Sequence, residues 1–294
     1  MKKLRHIAEY LGVLLCLFLA KRLPLNCSEA VATALGDLFF LLARKRKRIA
    51  CDNVKRTGIA TEKVEIERIV RASFRHMAIL VVEALRAPEF FGSADLHEHV
   101  TFEIAPESQA FLDDPGQGII CASAHIGNWE LGGFLLHRIK PILVVVRNMN
   151  NPYVDRLVRE KTHRGEFDTT PKNGASGTRL IRVLKKGSMV GLLIDQYARR
   201  SPIMADFFGI PSATHTSPAR LHISTKAPIC IVFVMRRGPM KYTVSVLPPI
   251  KYEKTGDRDK DVRTIIETMN AELEKMIRRH PEQYLWAHRR WRDV

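Results

Sequence analysis

The sequence has no cysteine pattern that would build a disulfide framework or a cysteine-rich zinc module. It contains five cysteines, an odd number, spread along 294 residues without a CxxC pair: Cys16, Cys27, Cys51, Cys121 and Cys230. Disulfide-stabilised small domains and zinc modules need paired, closely spaced cysteines. We therefore expect the folded part of the chain to occupy a reducing compartment.

The sequence also lacks the short motifs by which proteins bind nucleotides, metals or nucleic acids. It has no Gly-rich phosphate loop and no dinucleotide fingerprint. A metal-binding helix needs two histidines four residues apart, and no second histidine stands four residues after His125. Zinc-finger spacing, a basic zipper and an aromatic RNA-binding motif are missing as well. We expect no cofactor, no metal and no nucleic-acid partner.

Acidic residues are few relative to basic ones. Lys and Arg number 47 against 31 for Asp and Glu, which gives a net charge of +16. Such a charge implies contact with something anionic, whether nucleic acid, a membrane surface, a phosphorylated ligand or an acidic protein. The hydrophobic content of 46% over 294 residues is enough for one large core or two modest ones.

The amino terminus carries a short apolar run between positive charges. Every residue from 10 to 20 is apolar, MKKLRH precedes the run, and Lys21-Arg22 follows it. At about 1.5 Å per residue, this run is too short to cross about 30 Å of hydrocarbon unaided. We interpret residues 1–24 as a retained membrane anchor that either spans marginally or lies in the interface. A cleaved signal peptide and a buried amphipathic helix are the alternatives.

A second apolar stretch, residues 30–43, is interrupted by Asp37 and ends in five consecutive basic residues, 44–48. Basic runs usually lie on solvated helix faces. The position of this one, directly after two apolar segments, favours attraction to anionic lipid headgroups, at about 1 kcal/mol per basic residue. An anionic membrane surface is therefore an expected partner.

The remainder of the chain alternates between strand-like and helix-like segments. Short apolar runs predict strands at residues 118–124, 141–146, 188–194, 228–235 and 242–247. Helical patterns occupy residues 61–86, closed by Pro88, and residues 129–139, 176–186, 217–226 and 259–279. This alternation predicts an α/β fold, a single sheet flanked by helices behind the amino-terminal hydrophobic anchor helix. Without a linker or repeat to divide it, residues 25–294 form one predicted domain.

The segment HIGNWE, which starts at His125, stands where a predicted strand ends and the next helix begins. Ligands of open α/β sheets bind at this edge. If Gly127 and Asn128 form a turn and Glu130 lies in the first helical turn, the carboxylate can reach the imidazole. Such a pair makes histidine a general base, and backbone N–H groups at the helix start are candidates to stabilise an oxyanion.

The segment AHIGNWELGG resembles the H-x4-(D/E) signature of the late acyltransferases of lipid A biosynthesis, here in its H-x4-E form. Further blocks resemble the same family along essentially the whole chain: RNMNNPYVDRLVREKTHRG at 147–165, GTR at 177–179, GLLIDQ at 191–196, FFGIP at 207–211 with Thr214, and PEQYLW at 281–286 followed by Arg289-Arg290-Trp291.

The resemblance implies a membrane-bound O-acyltransferase at the cytoplasmic face of the bacterial inner membrane. Such an enzyme moves a fatty acyl chain from acyl carrier protein to a hydroxyl of a phosphorylated lipid A precursor. His125 would deprotonate the acceptor hydroxyl, Glu130 would orient His125, and the alkoxide would attack the acyl thioester directly. Because no acyl-enzyme is needed, we interpret Cys121 as a core residue of its strand rather than a nucleophile.

The same resemblance makes Arg164 functionally important, and Arg147 and Arg179 can join it in a basic pocket for phosphates. Gly127 and Asn128 are further candidates for binding substrate. Asp195 and Gln196 end a buried strand at the same sheet edge as His125. We expect Asp195 to hold Arg164 or Arg179 in a bidentate pair, with capping of the following loop as the alternative.

Two other functions compete with this interpretation. One is an acyltransferase that acts on another glycolipid or a lysophospholipid, with acyl-CoA as a possible donor. The other is a catalytically silent membrane scaffold that uses only the basic surface. His125 and Glu130 argue against the scaffold, since it would have no use for an intact base.

Overall fold

The computed structural model describes residues 2–93, 95–147, 149–162, 167–171, 176–199 and 201–292. Within these ranges the α-helices are α1 (Lys2–Arg22), α2 (Leu25–Leu42), α3 (Arg44–Arg56), α4 (Lys63–Ser93), α5 (Leu96–His99), α6 (Pro106–Asp113), α7 (Gly132–His137), α8 (Pro152–Thr162), α9 (Ser176–Lys185), α10 (Ser217–Thr225) and α11 (Arg258–Arg279). Short 3-10 helices cover Trp129–Leu131 and Pro281–Gln283.

The strands are β1 (Val100–Ile104), β2 (Ile119–Ser123), β3 (Ile142–Val146), β4 (Asp168–Pro171), β5 (Met189–Leu193), β6 (Ile203–Phe207), β7 (Ile210–Thr214), β8 (Ile229–Gly238) and β9 (Lys241–Pro249). Seven of them form one sheet in the order β1-β9-β8-β2-β5-β3-β4, and β6 pairs with β7 in a separate hairpin.

The main sheet is largely parallel. The five strands β8, β2, β5, β3 and β4 run in the same direction, whereas β9 is antiparallel to β8 and carries β1 beside it. Parallel strands need crossover connections, which the alternating helices supply. The prediction of an α/β fold with one sheet flanked by helices is confirmed.

The central strands are apolar throughout because both faces of the sheet are covered. In β2, Ile120 and Ala122 pack on the face that carries α3, α9, α10 and α11. Ile119 and Cys121 alternate with them and pack on the opposite face, against α6, α7 and the end of α4. A strand buried on two faces loses the polar-apolar alternation and appears as a continuous hydrophobic run.

Helix α4 continues past the proline that the sequence suggested as its end. The prediction that Pro88 closes this helix is wrong, since α4 runs to Ser93. Ala87 is 1% exposed and Phe91 is 6% exposed, and both belong to the apolar core under the sheet. Tertiary packing on both sides of Pro88 therefore outweighs the local hydrogen bond that the proline removes.

The amino-terminal region forms two helices, α1 and α2. Of the described helices, α2 is the one whose length and apolar composition would suffice to cross a membrane. Its buried residues recur at every fourth position, at Ser28, Ala32, Gly36 and Phe40. Phe40 packs edge-on against Phe74 of α4, with ring centroids 5.8 Å apart. The other face of α2 remains exposed and apolar.

We predict that Gly36→Ala loosens α2 from α4. A Cβ at Gly36 would lie 2.5 Å from the Cα of Arg75, which is backbone and cannot turn aside. Overpacking of this kind costs about 1–3 kcal/mol. Urea unfolding should show this loss. Gly12→Ala is the matched control, because nothing lies within 4 Å of that position, and equal stability of the two variants would contradict the close packing.

Candidate active site

The register between β2 and β5 determines which side chains meet at the edge of the sheet. Ser123 pairs with Leu193 in parallel register at the carboxyl ends of the two strands. Two residues farther along each chain stand His125 and Asp195. Parallel neighbours keep their register beyond the last pair, so the two side chains emerge side by side at the edge where α/β proteins bind ligands.

His125 contacts a partner through each ring nitrogen. Its Nδ1 lies 2.8 Å from Oδ1 of Asp195, and its Nε2 lies 3.1 Å from the amide nitrogen of Gln196. A carboxylate only accepts hydrogen bonds, so Nδ1 carries the proton and Nε2 holds the lone pair. This tautomer is the one a general base needs, with Nε2 directed toward Gln196 and the cavity.

Asp195 is a buried, charged partner of His125. Its side chain is 3% exposed. Burial disfavours the charge of this carboxylate, but electrostatic attraction to the ring of His125 and hydrogen bonds from that residue outweigh burial and lower the pKa of Asp195 to about 2. Burial and the charge of Asp195 raise the pKa of Tyr284 well above its usual value, so the phenol stays protonated beside the carboxylate.

Glu130 lies in the 3-10 turn after His125, and its carboxylate accepts a hydrogen bond from the indole N–H of Trp129 at 3.1 Å. The ring of Trp129 in turn meets the ring of His125, with centroids 5.0 Å apart. Burial raises the pKa of Glu130, whereas the indole hydrogen bond and the charge of His125 act in the opposite direction. Glu130 is therefore linked to His125 through Trp129 and through charge, while Asp195 occupies Nδ1.

Gly127 and Asn128 support the loop rather than face the cavity. The N–H of Gly127 donates to the carbonyl of Gln283, and the N–H of Asn128 donates to the carbonyl of Val234 at 2.7 Å. Asn128 is fully buried. Neither residue lines the cavity and backbone carbonyls occupy both N–H groups, so the geometry does not support the expectation that Gly127 and Asn128 bind substrate. Stabilisation of an oxyanion by N–H groups of the helix start stays a prediction.

Gly127 is needed for its conformation. Its φ is +61°, which L side chains rarely adopt, and an added Cβ would lie 2.1 Å from the carbonyl oxygen of Val234. The carbonyl of Gly127 contacts Nε2 of buried His76 on α4 at 3.0 Å. The loop after His125 is thus pressed between β8 and α4.

A buried carboxylate on α4 organises the polar groups behind this loop. Glu83 accepts from the hydroxyl of Tyr242 at 2.6 Å, from Nε of Arg236 at 2.9 Å and from the N–H of Met240 at 3.1 Å. The side-chain amide of Asn128 approaches the same carboxylate at 3.4 Å. Four donors on one carboxylate satisfy a charge that would otherwise be costly to bury.

Of the three arginines predicted to form a phosphate pocket, the structure describes Arg147 and Arg179 and places only Arg147 at the cavity. Arg147 is exposed and lines the cavity beside His125. Arg179 is 3.5 Å from Asp168 on β4, so the expected pair between Arg179 and Asp195 is wrong. Asp195 instead forms its hydrogen bond with His125, because the pairing of β2 with β5 places those two side chains together. Arg164 lies outside the described residues.

A cavity of about 760 Å³ opens at His125 and extends between the sheet and α7. Its interior is apolar, with lining residues that include Leu136, Ile142, Val144, Phe167 and Val232. Its polar lining includes Glu130, Gln196 and three arginines, Arg147, Arg199 and Arg292. Ligand sites combine this size and apolar wall with a few convergent polar groups.

The closing segment of the chain holds the site from behind, although none of its residues was predicted as a site residue. Arg290 is 2% exposed and donates to the carbonyl of Gln196 and to Oγ1 of Thr214. Nε2 of His288 accepts from the N–H of Tyr197 at 3.2 Å, and burial lowers the pKa of His288 to about 4. These residues fix the loop that follows Asp195. The block around Arg289-Arg290 was part of the family resemblance in the sequence. Only the fold shows that its side chains bind the loop after Asp195.

Cys121 is 3% exposed, and its Sγ lies 3.6 Å from Sδ of Met189. Burial raises the pKa of its thiol. A nucleophilic cysteine needs the opposite shift and a nearby base. The chemistry available at this site therefore centres on His125.

Comparison with known proteins gives a consistent result. The profile of a family described as bacterial lipid A biosynthesis acyltransferase matches residues 1–293. A lipid A biosynthesis palmitoleoyltransferase of Escherichia coli (strain K12) is 25% identical over 285 residues, which cover 96% of this chain and 89% of that protein. A lipid A biosynthesis lauroyltransferase of the same strain is 26% identical over 294 residues, covering 98% and 92%. A phosphatidylinositol mannoside acyltransferase of Mycolicibacterium smegmatis is 27% identical over 118 residues, 39% of each chain.

We predict that buried His76 makes the fold sensitive to mild acid. Burial lowers its pKa to about 4. The unfolded chain protonates this histidine below about pH 6.5 while the folded protein does not, so stability falls as the pH drops from there toward 4. Between about pH 7.5 and about pH 5 the free energy of unfolding should fall by about 2 kcal/mol on account of His76.

Urea unfolding of His76→Gln at both pH values tests this effect. Glutamine keeps an N–H near the carbonyl of Gly127 but does not titrate, so its stability should depend less on pH. Exposed His97→Gln is the matched control and should behave as wild type. The interpretation fails if His76→Gln keeps the full wild-type pH dependence.

Proposed function

The chain belongs to the bacterial lipid A biosynthesis acyltransferase family, and from this premise we propose that it transfers a fatty acyl chain from acyl carrier protein to a hydroxyl of a phosphorylated lipid A precursor. The proposed place of the reaction is the cytoplasmic face of the bacterial inner membrane. The observation that carries the proposal is His125, paired with Asp195 at the opening of a largely apolar cavity of about 760 Å³.

In the proposed mechanism His125 is the general base. Its Nε2 lone pair takes the proton of the acceptor hydroxyl after the amide of Gln196 turns aside. The resulting oxygen attacks the thioester carbonyl carbon, a C–O bond forms and the C–S bond breaks. The departing thiolate recovers the proton from the imidazolium, so the base is regenerated and no acyl-enzyme forms.

Two carboxylates support His125 in different ways. Asp195 accepts the Nδ1 proton, which keeps the tautomer and stabilises the imidazolium in the transition state. Glu130, in the acidic position of the H-x4-E motif, acts on His125 by charge and by holding Trp129 against the ring. This division of roles follows from burial, since Asp195 is nearly inaccessible while Glu130 lines the cavity.

The charges at the cavity suit both proposed substrates. Arg147, Arg199 and Arg292 line it and are exposed. Guanidinium groups bind phosphate oxygens in forked geometry, which fits a phosphorylated acceptor and the phosphopantetheine arm of the carrier. The net charge of +16 favours approach of an acidic carrier protein, and this attraction weakens as salt increases.

We predict that transfer of a labelled acyl chain from acyl carrier protein to a phosphorylated lipid A precursor depends on the three site residues. His125→Ala and Glu130→Ala should each lower kcat by about 10² or more. Asp195→Asn should lower kcat by about 10²–10⁴, since it no longer accepts the Nδ1 proton. Glu103→Gln, on the exposed edge strand β1, is the control and should keep wild-type turnover.

Running the same assay with acyl-CoA separates the possible donors. If wild type uses neither donor, the acceptor assignment is wrong, and other phosphorylated glycolipids and lysophospholipids are then the acceptors to screen. If all variants match wild type, the proposed base is wrong. Loss of turnover in His125→Ala with unchanged membrane binding would exclude a silent scaffold.

We predict that Cys121→Ala retains most of the activity. Its thiol is buried and held in the protonated form, so it does not compete as a nucleophile. Quenched reactions of wild type with labelled donor should contain no acyl group bound to protein. A covalent label that disappears in Cys121→Ala would contradict direct transfer.

A further inference from the structure

The two amino-terminal helices expose apolar side chains. On α1 these are Leu4, Ile7, Leu11, Leu15 and Phe18, which recur at intervals of three and four residues and so line one face. On α2 they are Val31, Leu35, Leu38, Phe39, Leu41 and Leu42. Exposed apolar patches of this extent on a soluble protein mark an interaction surface.

The opposite face of α1 is attached to the catalytic domain. The side-chain amide of Asn151, just before α8, donates to the carbonyl of His6 and to the carboxylate of Glu9. One turn farther along α1, Val13 and Leu14 pack against Leu85 of α4 and Leu157 of α8. Protein contacts therefore hold α1 from His6 to Leu14.

Helix α2 is attached in the same manner. The carboxylate of Asp37 receives paired hydrogen bonds from Arg71 and Arg75 of α4, at 2.6 to 2.8 Å. Gly36 lies against the backbone of Arg75. These contacts hold the middle of α2 on α4, and the ionic groups among them would be costly to move into hydrocarbon.

Both helices use the same side of α4. At about 100° per residue, Arg71, Arg75 and Leu85 fall within a sector of about 80° around the axis of α4. His76 and Glu83, which face the catalytic loop, point in another direction, about 20° apart from each other. Helices α1 and α2 therefore both pack on the side of α4 that faces away from the catalytic loop, and the amino-terminal end of α2 also reaches β8, where Glu29 lies 2.8 Å from Arg236.

We propose that α1 and α2 form an in-plane platform that lies in the headgroup layer of an anionic bilayer and does not cross it. To cross the bilayer, α1 or α2 would have to detach from α4 and α8, or the charged residues of α4 and α8 would have to enter the lipid with it. The charges around the platform fit this position, since Arg44, Lys45 and Arg48 at the start of α3 are exposed directly after α2. Amphipathic helices that lie flat carry basic residues beside an apolar face in this way.

The platform adjoins the catalytic cavity. Helix α8, on which α1 packs, also contributes Asp155 and Val158 to the cavity lining. This part of the inference rests on the proposed function: a lipid-linked acceptor would reach His125 from the bilayer surface beside α8. The membrane contact itself is tested without turnover.

The first experiment measures topology in vesicles of neutral and anionic phospholipid. Asn26 is exposed at the start of α2, next to the connection with α1 and off the apolar face of α2. In an Asn26→Cys variant that also carries Cys16→Ser, Cys27→Ser and Cys51→Ser, a membrane-impermeant maleimide added outside should label position 26 in molecules whose carboxyl-terminal tag is open to external protease. An amino-terminal tag should be cleaved in the same molecules. Protection of position 26 or of the amino-terminal tag would show a span and overturn the proposal.

The second experiment measures binding to the same vesicles by co-sedimentation. Leu11→Glu combined with Leu15→Glu, and Leu38→Glu combined with Leu42→Glu, should each weaken binding by about tenfold or more, because they place charge on the lipid-facing side. Met204→Glu is the matched control, since this methionine is an exposed apolar residue on β6, in the hairpin that packs on α11. Thermal unfolding of the same variants checks that each remains folded.

The outcomes separate this inference from the proposed function. Wild type that transfers acyl groups in detergent but does not bind anionic vesicles contradicts the platform and leaves the chemistry intact. Wild type that binds in plane but transfers nothing contradicts the chemistry and leaves the platform intact. Equal binding by the platform variants and Met204→Glu would also reject the platform.

Discussion

Parallel pairing of β2 with β5 is the constraint on which the site depends. It brings His125 and Asp195 together from positions 70 residues apart and leaves both side chains at the carboxyl edge of the sheet. Because both strands are buried on two faces, a shift in register would expose apolar side chains and is strongly opposed. The geometry of the candidate base is therefore as stable as the core of the sheet.

The loop after His125 is held from three directions. Gly127 allows the close approach to β8, His76 binds the loop from α4, and the carbonyl of His125 accepts from the N–H of Leu285 in the closing segment. Such a loop has little freedom to move when substrate binds. Gln196, which contacts Nε2, is the more exposed neighbour and the part of the site able to yield.

The sequence could predict β2, β3, β5, β8, β9 and the position of His125, because short apolar runs separated by helical patterns leave few alternatives to a covered parallel sheet. It did not predict β1, β4, β6 and β7, which lie at the edges of the sheet or in the separate hairpin and lack such runs. It could not predict the partner of Asp195, since that contact depends on which strands are neighbours. The expected pair between Asp195 and Arg179 rested on the assumption that a carboxylate at the sheet edge binds an arginine. Likewise, α4 extends beyond Pro88 because Phe91 is buried in the core. The helix propensities of the neighbouring residues do not reveal that burial.

The contacts behind the site give the amino-terminal helices a second role. Glu29 on α2 lies 2.8 Å from Arg236, which donates to Glu83, and Glu83 in turn receives the amide of Asn128 in the catalytic loop. Arg236 is 14% exposed on its side chain, so this chain of charges is largely shielded from water and salt. Helix α2, which we propose to lie on lipid, is thereby joined through two ion pairs and a hydrogen bond to the loop that carries His125. Loss of Glu29 would leave one side of the Arg236 guanidinium without a charged partner. Weaker attachment of α2 to the domain should therefore be accompanied by a less ordered loop after His125.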